Sequence, residues 1–362
     1  MKTRSQSFLY KELRETAEHK GFPIDVLFEL TGRCNLNCKM CYVHTMTNAD
    51  AFLHELSSEK WLDIFDQAIS AGMMFATLSG GECLLRPDFR KLYLYLYEHG
   101  VQLIVKTNGI LLNDDYIGFF KSFPPMELQI SLYGTNDSEY YDVTEMRVSD
   151  LVLNHIRAIS ESGLKYRIQI TPCGEAKPFF YGIIDYLIEK KYPFQISQFL
   201  LSPREGEKDD KCLDISPDDI CDYMCYIAEQ KGKKLKRISP ETLPMIGTGG
   251  ENVVEKKHCT AGKNRCQIDW RGNMHPCVAL PTISASVISL GYLNAWSVIQ
   301  KESELLHFPE KCSSCAYKNA CKPCYAARSN NLNSSDCNDN YCELVKEKIC
   351  RGLIKFDIID SV

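Results

Sequence analysis

At 362 residues, with 44% hydrophobic and 25% charged residues, the chain has the make-up of a folded protein large enough for one large domain and a smaller one. A net charge of −5 argues against nucleic acid as the main partner, which would favour a basic face; the clusters Lys233-Lys234-Leu235-Lys236-Arg237 and Lys256-Lys257 read as solvated surface. No apolar run is long enough to span a bilayer and the start, Met1 to Ser7, lacks the apolar core of an export signal, so a cytoplasmic protein with no membrane partner is expected.

From Val26 onward, apolar β-rich runs alternate with amphipathic helical stretches. The predicted strands are Val26–Leu30, Phe75–Ser79, Gln102–Thr107, Glu127–Leu132, Tyr166–Thr171 and Phe194–Gln198. The predicted helices are Ser58–Ala71, Asp88–His99, Asp114–Ser122, Ser149–Ser162, Pro178–Lys190 and Pro217–Lys231. Strand–helix alternation at this spacing implies right-handed crossovers and a parallel sheet, either doubly wound or a partial barrel. A connector, glycine-rich around Gly247-Thr248-Gly249-Gly250, follows. A cysteine-rich module runs from Lys256 to Val345, and Glu343–Phe356 reads as a closing helix.

Eighteen cysteines set this chain apart, and ten of them fall between Cys259 and Cys350. Secreted disulfide scaffolds are usually short and carry an export signal; a cytosolic chain with this much cysteine points to metal. Cys34, Cys38 and Cys41 stand at a C-x₃-C-x₂-C spacing directly after the first strand. Three thiolates on one short loop suit three corners of a [4Fe–4S] cube, leaving the fourth iron open for a ligand. A zinc knuckle with His44 as fourth ligand is the alternative.

The stretch Thr31-Gly32-Arg33-Cys34-Asn35-Leu36-Asn37-Cys38-Lys39-Met40-Cys41-Tyr42, with an aromatic residue after the last cysteine, resembles the signature of the radical S-adenosylmethionine (SAM) enzymes. That resemblance implies an α/β fold, a (β/α)₆ partial TIM barrel with its chemistry at the C-terminal ends of the strands. It further implies that Gly80, Gly81 and Glu82 hold the amino group of SAM, with Cys83 replacing the usual proline as a small buried residue. Asn108, in Thr107-Asn108-Gly109, matches another recurrent element. Ser131 is expected at the ribose or carboxylate of SAM and Arg147 at the methionyl carboxylate, the bidentate geometry arginine suits. Tyr42 and Gln169 complete the expected cofactor contacts, and Gln198 is expected to line the barrel.

The C-terminal cysteines, Cys259-x₁₂-Gly272-x₄-Cys277 and then Cys312-x₂-Cys315-x₅-Cys321-x₂-Cys324, resemble the SPASM module of peptide and sulfatase maturases, although the usual gap before the last cysteine of the central run is x₃. The resemblance implies two auxiliary [4Fe–4S] clusters, one held by Cys259, Cys266, Cys277 and Cys324 and the other by Cys312, Cys315, Cys321 and Cys342. Cys342, in Asn340-Tyr341-Cys342-Glu343-Leu344, is favoured over Cys337 as the final ligand. His258 and His275 read as hydrogen-bond donors or packing residues beside ligands. Cys173, Cys212, Cys221 and Cys225 have no motif; Cys221 and Cys225 share a helix face, as core cysteines do. The expected domains are an N-terminal extension (1–24), the barrel (25–202), a connector (203–255), an iron–sulfur SPASM domain (256–345) and a helical tail (346–362).

The family chemistry implied is one-electron reduction of SAM to methionine and a 5′-deoxyadenosyl radical, which removes a hydrogen from an unactivated carbon. The leading expectation is oxidative modification of a peptide or protein, such as a thioether or carbon–carbon crosslink in a ribosomally made peptide. An external one-electron reductant such as flavodoxin or ferredoxin is expected. Only 33 residues precede Cys34, too few for a winged-helix leader-binding domain, so leader recognition is expected from a separate protein or another surface. A formylglycine-forming sulfatase maturase is the nearest alternative, but Val278 stands where those enzymes carry an aspartate. Oxidative decarboxylation in haem biosynthesis is a third reading, and a non-catalytic iron–sulfur or zinc protein is the reading from another class.

Overall fold

The computed structural model describes residues 6–43, 48–198, 200–201, 215–243, 259–306 and 339–354, and between the last two 312, 315–317, 320–321 and 324. His44, Cys212, His258, Cys337 and both ends of the connector (203–214 and 244–255), including its glycine-rich part, lie outside the described residues.

Six parallel strands form the frame: β1 (Asp25–Glu29), β2 (Phe75–Ser79), β3 (Gln102–Thr107), β4 (Glu127–Leu132), β5 (Tyr166–Ile170) and β6 (Phe194–Ile196). They pair in sequence order, β1 to β6, all parallel. The sheet continues past β1 with β7 (Arg265–Ile268), parallel to β1, and then the antiparallel β8 (Asn273–His275) and β9 (Ala285–Ser286). The spatial order is therefore β6-β5-β4-β3-β2-β1-β7-β8-β9. This is the expected (β/α)₆ partial barrel. Its sheet also takes in β7 to β9, which the sequence reading had placed in the cysteine-rich module.

Alternation along each strand sorts the side chains into two layers. Val26 and Phe28, Ala76 and Leu78, Leu103 and Val105, Leu128 and Ile130 face the helices and form one fully buried core. Asp25, Leu27 and Glu29, with Thr77, Lys106, Gln129, Gln169 and Gln267, fall on the other face, toward the lumen. The helices fit because their apolar residues recur at i, i+3, i+4 and i+7. In α3 (Ser58–Ser70; α2 is Asn48–His54) these are Trp61, Ile64, Phe65 and Ala68, and Ser57 caps the first turn by accepting from the Lys60 amide. The same stripe recurs in α4 (Phe89–Glu98), in α7 (Ser149–Glu161) and in α8 (Phe180–Glu189). Between them, α5 (Asp114–Ser122) and α6 (Asp137–Thr144) are capped by Asn113 and Asn136.

A helix absent from the sequence reading, α1 (Gln6–Lys20), covers the N-terminal ends of the strands. Tyr10 packs edge-on against Phe75 and donates to Gln102 Oε1, while Arg14 lies over the Phe75 ring and reaches Asp25 at 3.3 Å. Arg265 of β7 bonds the same Asp25 carboxylate at 3.0 Å. After α9 (Pro217–Gln230) and the short α10 (Val287–Leu290), α11 (Tyr292–Glu304) ties down the end of α1 through Trp296 Nε1 on the Gly21 carbonyl (2.9 Å). The closing helix, α12 (Asp339–Cys350), packs against α9. No helix among the described residues is long and apolar enough to cross a membrane.

Phe28 lies at the centre of the core, 4.9 Å from Phe65 and 5.9 Å from Trp61 between ring centroids. Phe28→Ala removes a large buried ring and is expected to cost about 3–5 kcal/mol. Urea unfolding followed by tryptophan fluorescence should show the midpoint moving down accordingly.

Candidate active site

Three loops meet at the C-terminal ends of β1, β2 and β3. The first, residues 31–42, carries Cys34, Cys38 and Cys41, all half-buried. It is pinned to the end of α6 by Asn37 N to Thr144 O (3.2 Å) and Lys39 N to Val143 O (3.1 Å), and Cys41 N donates to Cys38 O (3.0 Å). Arg33 is locked in an ion pair with Glu55 at 3.0 Å, and Thr31 donates to the same carboxylate.

The second loop, Gly80-Gly81-Glu82, lies directly on the first. Gly81 N donates to Thr31 O (2.9 Å) and Glu82 N to Arg33 O (2.8 Å). The expectation was that these glycines admit a ligand; the structure gives them an additional, stricter task. A Cβ on Gly80 would stand 2.4 Å from Thr31 O, and one on Gly81 2.3 Å from Arg33 O. Gly80 also holds φ +141°, a region L side chains rarely adopt.

Glu82 is buried, and its carboxylate accepts from Leu84 N (3.0 Å), Thr107 Oγ1 (3.0 Å) and Asn108 N (2.7 Å). Burial pushes its pKa up to about 7 against these lowering hydrogen bonds. Asn108 in turn reaches back to the first loop, donating to Asn35 Oδ1 at 2.7 Å with Cys34 Sγ at 3.8 Å. Cys83 is fully buried, its thiol donating to the Lys106 carbonyl at 3.3 Å, as a small core residue.

Burial raises the Cys34 thiol to about 11 and lifts Cys38 well above the ordinary thiol range, and the crowded thiols raise one another. The three thus fit a group that takes thiolates and releases their protons on binding. Among the described residues no three Cys, His, Asp or Glu side chains converge on a point that would hold a single metal ion. The donor set is three thiols on one loop, the chemistry of an iron–sulfur corner.

Tyr133, which the sequence reading passed over, joins this group. Its side chain interacts with Ser131 on one side and with Cys38 on the other. Gln169 pairs with Ser131 on the lumen face, and Tyr42 is half-buried beside Cys41. Two expected residues are elsewhere. Arg147 is exposed and stacks over the Tyr141 ring at 4.7 Å, so its expected place at a carboxylate has no support in this geometry. Gln198 does not line the barrel; it accepts from Lys348 Nζ of α12 at 2.7 Å.

In the C-terminal part, Cys259, Cys277 and Cys324 lie near enough to perturb one another, and burial raises Cys277 to about 12. Cys266 is not with them. It sits on the helix-facing side of β7, fully buried in the main core, with its Sγ 3.8 Å from the Tyr292 hydroxyl of α11. Of the four cysteines expected together, the structure brings three near one another. Gly272 turns the β7–β8 hairpin at φ +86°, where a Cβ would meet Ile288 at 2.8 Å. His275 bridges Ile283 O and Asp269 and does not approach as an acid or base. Cys315 and Cys321 share a small apolar cluster with Tyr317, Ile349 and Cys350. Cys312 and Cys342 are half-buried. Cys173, Cys221 and Cys225 are buried core residues, and none of the described cysteines forms a disulfide.

A model of the Radical SAM superfamily matches residues 28–174. The chain is 24% identical over 322 residues to the AdoMet-dependent heme synthase of Methanosarcina barkeri, covering 83% of this chain and 90% of that protein. It is 24% identical over 318 residues to the mycofactocin maturase MftC of Mycobacterium tuberculosis, covering 84% and 79%. In fold it is similar to Streptococcus suis SuiB bound to the precursor peptide SuiA, with a TM-score of 0.69 and 17% identity over 93% of this chain and 81% of that one.

The placement of Cys266 gives a direct test. Cys266→Ser should bind as much iron after anaerobic reconstitution as the wild type, whereas Cys259→Ser should lose about one cluster's worth. Equal losses would return Cys266 to the ligand set.

Proposed function

Residues 28–174 are a radical SAM domain, and from that premise we propose that the chain cleaves SAM reductively to carry out an oxidative modification of a peptide or protein. The observation that carries this reading is the docking of Gly80-Gly81-Glu82 onto the three-cysteine loop at the C-terminal ends of adjacent parallel strands.

When bound, the cluster and SAM supply a 5′-deoxyadenosyl radical that removes a hydrogen from a substrate carbon. The protein's own part is binding and orientation. Cys34, Cys38 and Cys41 would hold the cluster. Glu82, a buried carboxylate with three hydrogen-bond donors, would accept the SAM ammonium. Asn108 orients the loop bearing Cys34, and Ser131 and Tyr133 order the Cys38 sulfur. Helices cover the outer face of the sheet and α1 covers its base, which limits the routes by which water can reach a reactive intermediate.

A peptide substrate is supported by the relatives: one is named a mycofactocin maturase, and a protein of similar fold has been crystallised with its precursor peptide. A second reading, modification of a haem precursor, is favoured by the match to a heme synthase over 90% of that protein's length. Two auxiliary clusters are part of the proposal. Cys259, Cys277 and Cys324 would hold one, leaving one iron without a cysteine; Cys312, Cys315, Cys321 and Cys342 would hold the other. They offer a path for an electron leaving the substrate to an external reductant–oxidant partner of the flavodoxin or ferredoxin type. The cysteine-rich, disulfide-poor make-up suits the reducing cytoplasm.

Glu82 makes SAM binding depend on pH. Burial holds its pKa in the folded chain at about 7, above the ordinary range of a glutamate. The protonated form therefore favours the fold, and this contribution is present below the unfolded pKa and lost as pH rises through about 7. A cationic ligand binds the ionised form, so SAM affinity should weaken as pH falls below about 7. Glu82→Gln should bind SAM weakly and without that pH dependence, as equilibrium dialysis would read.

Reconstitution tests the whole. The protein is expected to take up about twelve irons and, with dithionite and SAM, to release 5′-deoxyadenosine. Cys34→Ala should abolish release, and Cys312→Ala should retain some. Equal loss in both variants, with folding intact, would overturn this division of labour, and tightly held zinc without cleavage would overturn the function.

A further inference from the structure

Among the described residues, one cation of the barrel lumen, Lys106, has no side-chain partner. Lys106 is the last lumen-facing residue of β3, one position before Thr107 and two before Asn108, both of which bind Glu82. Its neighbours in the strand, Val105 and Thr107, are buried on the helix side, whereas Lys106, on the lumen side, is exposed. Enclosure lowers its pKa, Arg265 lowers it further, and Glu29 and Asp25 of β1 oppose this from across the lumen.

The nearby acids are otherwise engaged. Asp25 is shared by Arg14 and Arg265. Glu127 is held by Arg167 and Gln129, each at 2.9 Å. Asp269 accepts from turn amides and faces His275. Glu29, fully buried two residues above Leu27, contributes attraction from β1. Among the described residues no acceptor lies within hydrogen-bond or ion-pair reach of the Lys106 ammonium.

A second group, on the other wall, is also unpaired. Gln267 is on the lumen side of β7, since Cys266 and Ile268 on either side of it are in the helix-facing core. It is 1% exposed, and among the described residues neither its Nε2 nor its Oε1 has a hydrogen-bond partner. Buried amides without partners are rare and costly, and an exposed ammonium in the lumen is open to a counter-ion. Both needs would be met by one kind of ligand group. A carboxylate gives the ammonium a counter-ion and the amide N–H an acceptor. The floor beneath is sealed by α1, Phe75 and the Asp25 ion pairs, so such a ligand would enter from the mouth, past the position assigned to SAM.

We propose that the lumen below the SAM site is a carboxylate-binding subsite for the substrate, with Lys106 as its cationic anchor and Gln267 as its hydrogen-bonding wall. This rests on the reading of the chain as a SAM-cleaving peptide modifier. The substrate segment that enters the barrel then bears a carboxylate, from an acidic side chain or from a peptide C-terminus.

The test uses the reconstituted, SAM-loaded protein and three small probes: N-acetylglutamate N-methylamide, its glutamine counterpart, and N-acetylalanine with a free carboxylate. Binding is followed by ligand-observed NMR. At least one acid should bind about tenfold or more tighter than the glutamine amide, and the tighter of the two acids identifies the source of the carboxylate. Lys106→Met should erase that preference, Lys106→Arg should restore part of it, and Gln267→Leu should reduce it. An unselective wild type, or one that binds none of the probes, overturns the subsite, as does a Lys106→Met protein that still prefers acids. A tenfold fall in SAM affinity in Lys106→Met also overturns it, because Lys106 would then serve the carboxylate of SAM. Failure of the wild type to form 5′-deoxyadenosine while acids are still preferred would leave the lysine subsite standing and remove the radical chemistry.

Discussion

The structure depends on how closely two loops approach. The β1 and β2 strands are neighbours in a parallel sheet, so their C-terminal loops leave the same edge side by side. Gly80 and Gly81 let the second loop settle on the backbone of the first, where any Cβ would lie well inside contact distance of a carbonyl oxygen. Two backbone hydrogen bonds then hold the pair. From that fixed point Glu82 reaches β3 through Thr107 and Asn108, and Asn108 returns to Cys34. Three strand ends are thereby joined in a closed circuit, and the positions of the cysteines and of the buried carboxylate are set together.

That circuit sits above an interior of unusual polarity. The helix-facing side of the sheet is packed with apolar residues, so it can stabilise the fold without help from the lumen. The lumen is free to carry Glu29, Lys106, Gln129, Gln169 and Gln267. At its base the charges are closed off in pairs, with Arg14 of α1 and Arg265 of β7 on one aspartate. Among the described residues, Lys106 and Gln267 have no partner for their side chains. An enclosed charge without a close partner is expensive, and its cost falls where the lumen retains water or receives a ligand.

Much of this frame was legible in the sequence. The six strands are short apolar or β-branched runs between turn signals, and each was found to within two residues at either end. The helices that carry a full stripe at helical spacing were equally clear. What was missed had weak local signals. In α1 the apolar residues Leu9, Tyr10, Leu13 and Ala17 are thinly set among charges, and the helix is fixed by partners far along the chain such as Trp296 and Asn264. The β7 strand is four residues long, and only its pairing with β1 makes it part of the barrel. Tyr133 could have been found by continuing the alternation of β4 two residues beyond Ser131. Lys106 carried a signal of its own, a charged residue inside a strand otherwise suited to a buried parallel sheet.

The cysteines show where spacing stops being informative. A ligand motif records separations along the chain, whereas ligation depends on which side of a strand a thiol occupies. Cys266 satisfies the former and fails the latter: β7 turns it toward Tyr292 and the helices, while Gln267, one residue on, faces the lumen. A shift of register by one residue would exchange the two. The register of β7 is set by its pairing with β1, with Asp25 opposite Arg265 and Val26 opposite Cys266. The same alternation that removes Cys266 from the auxiliary set delivers an unpaired amide to the interior. One pairing at the seam between barrel and module thus decides both how many cysteines are offered to the auxiliary site and what lines the lumen wall.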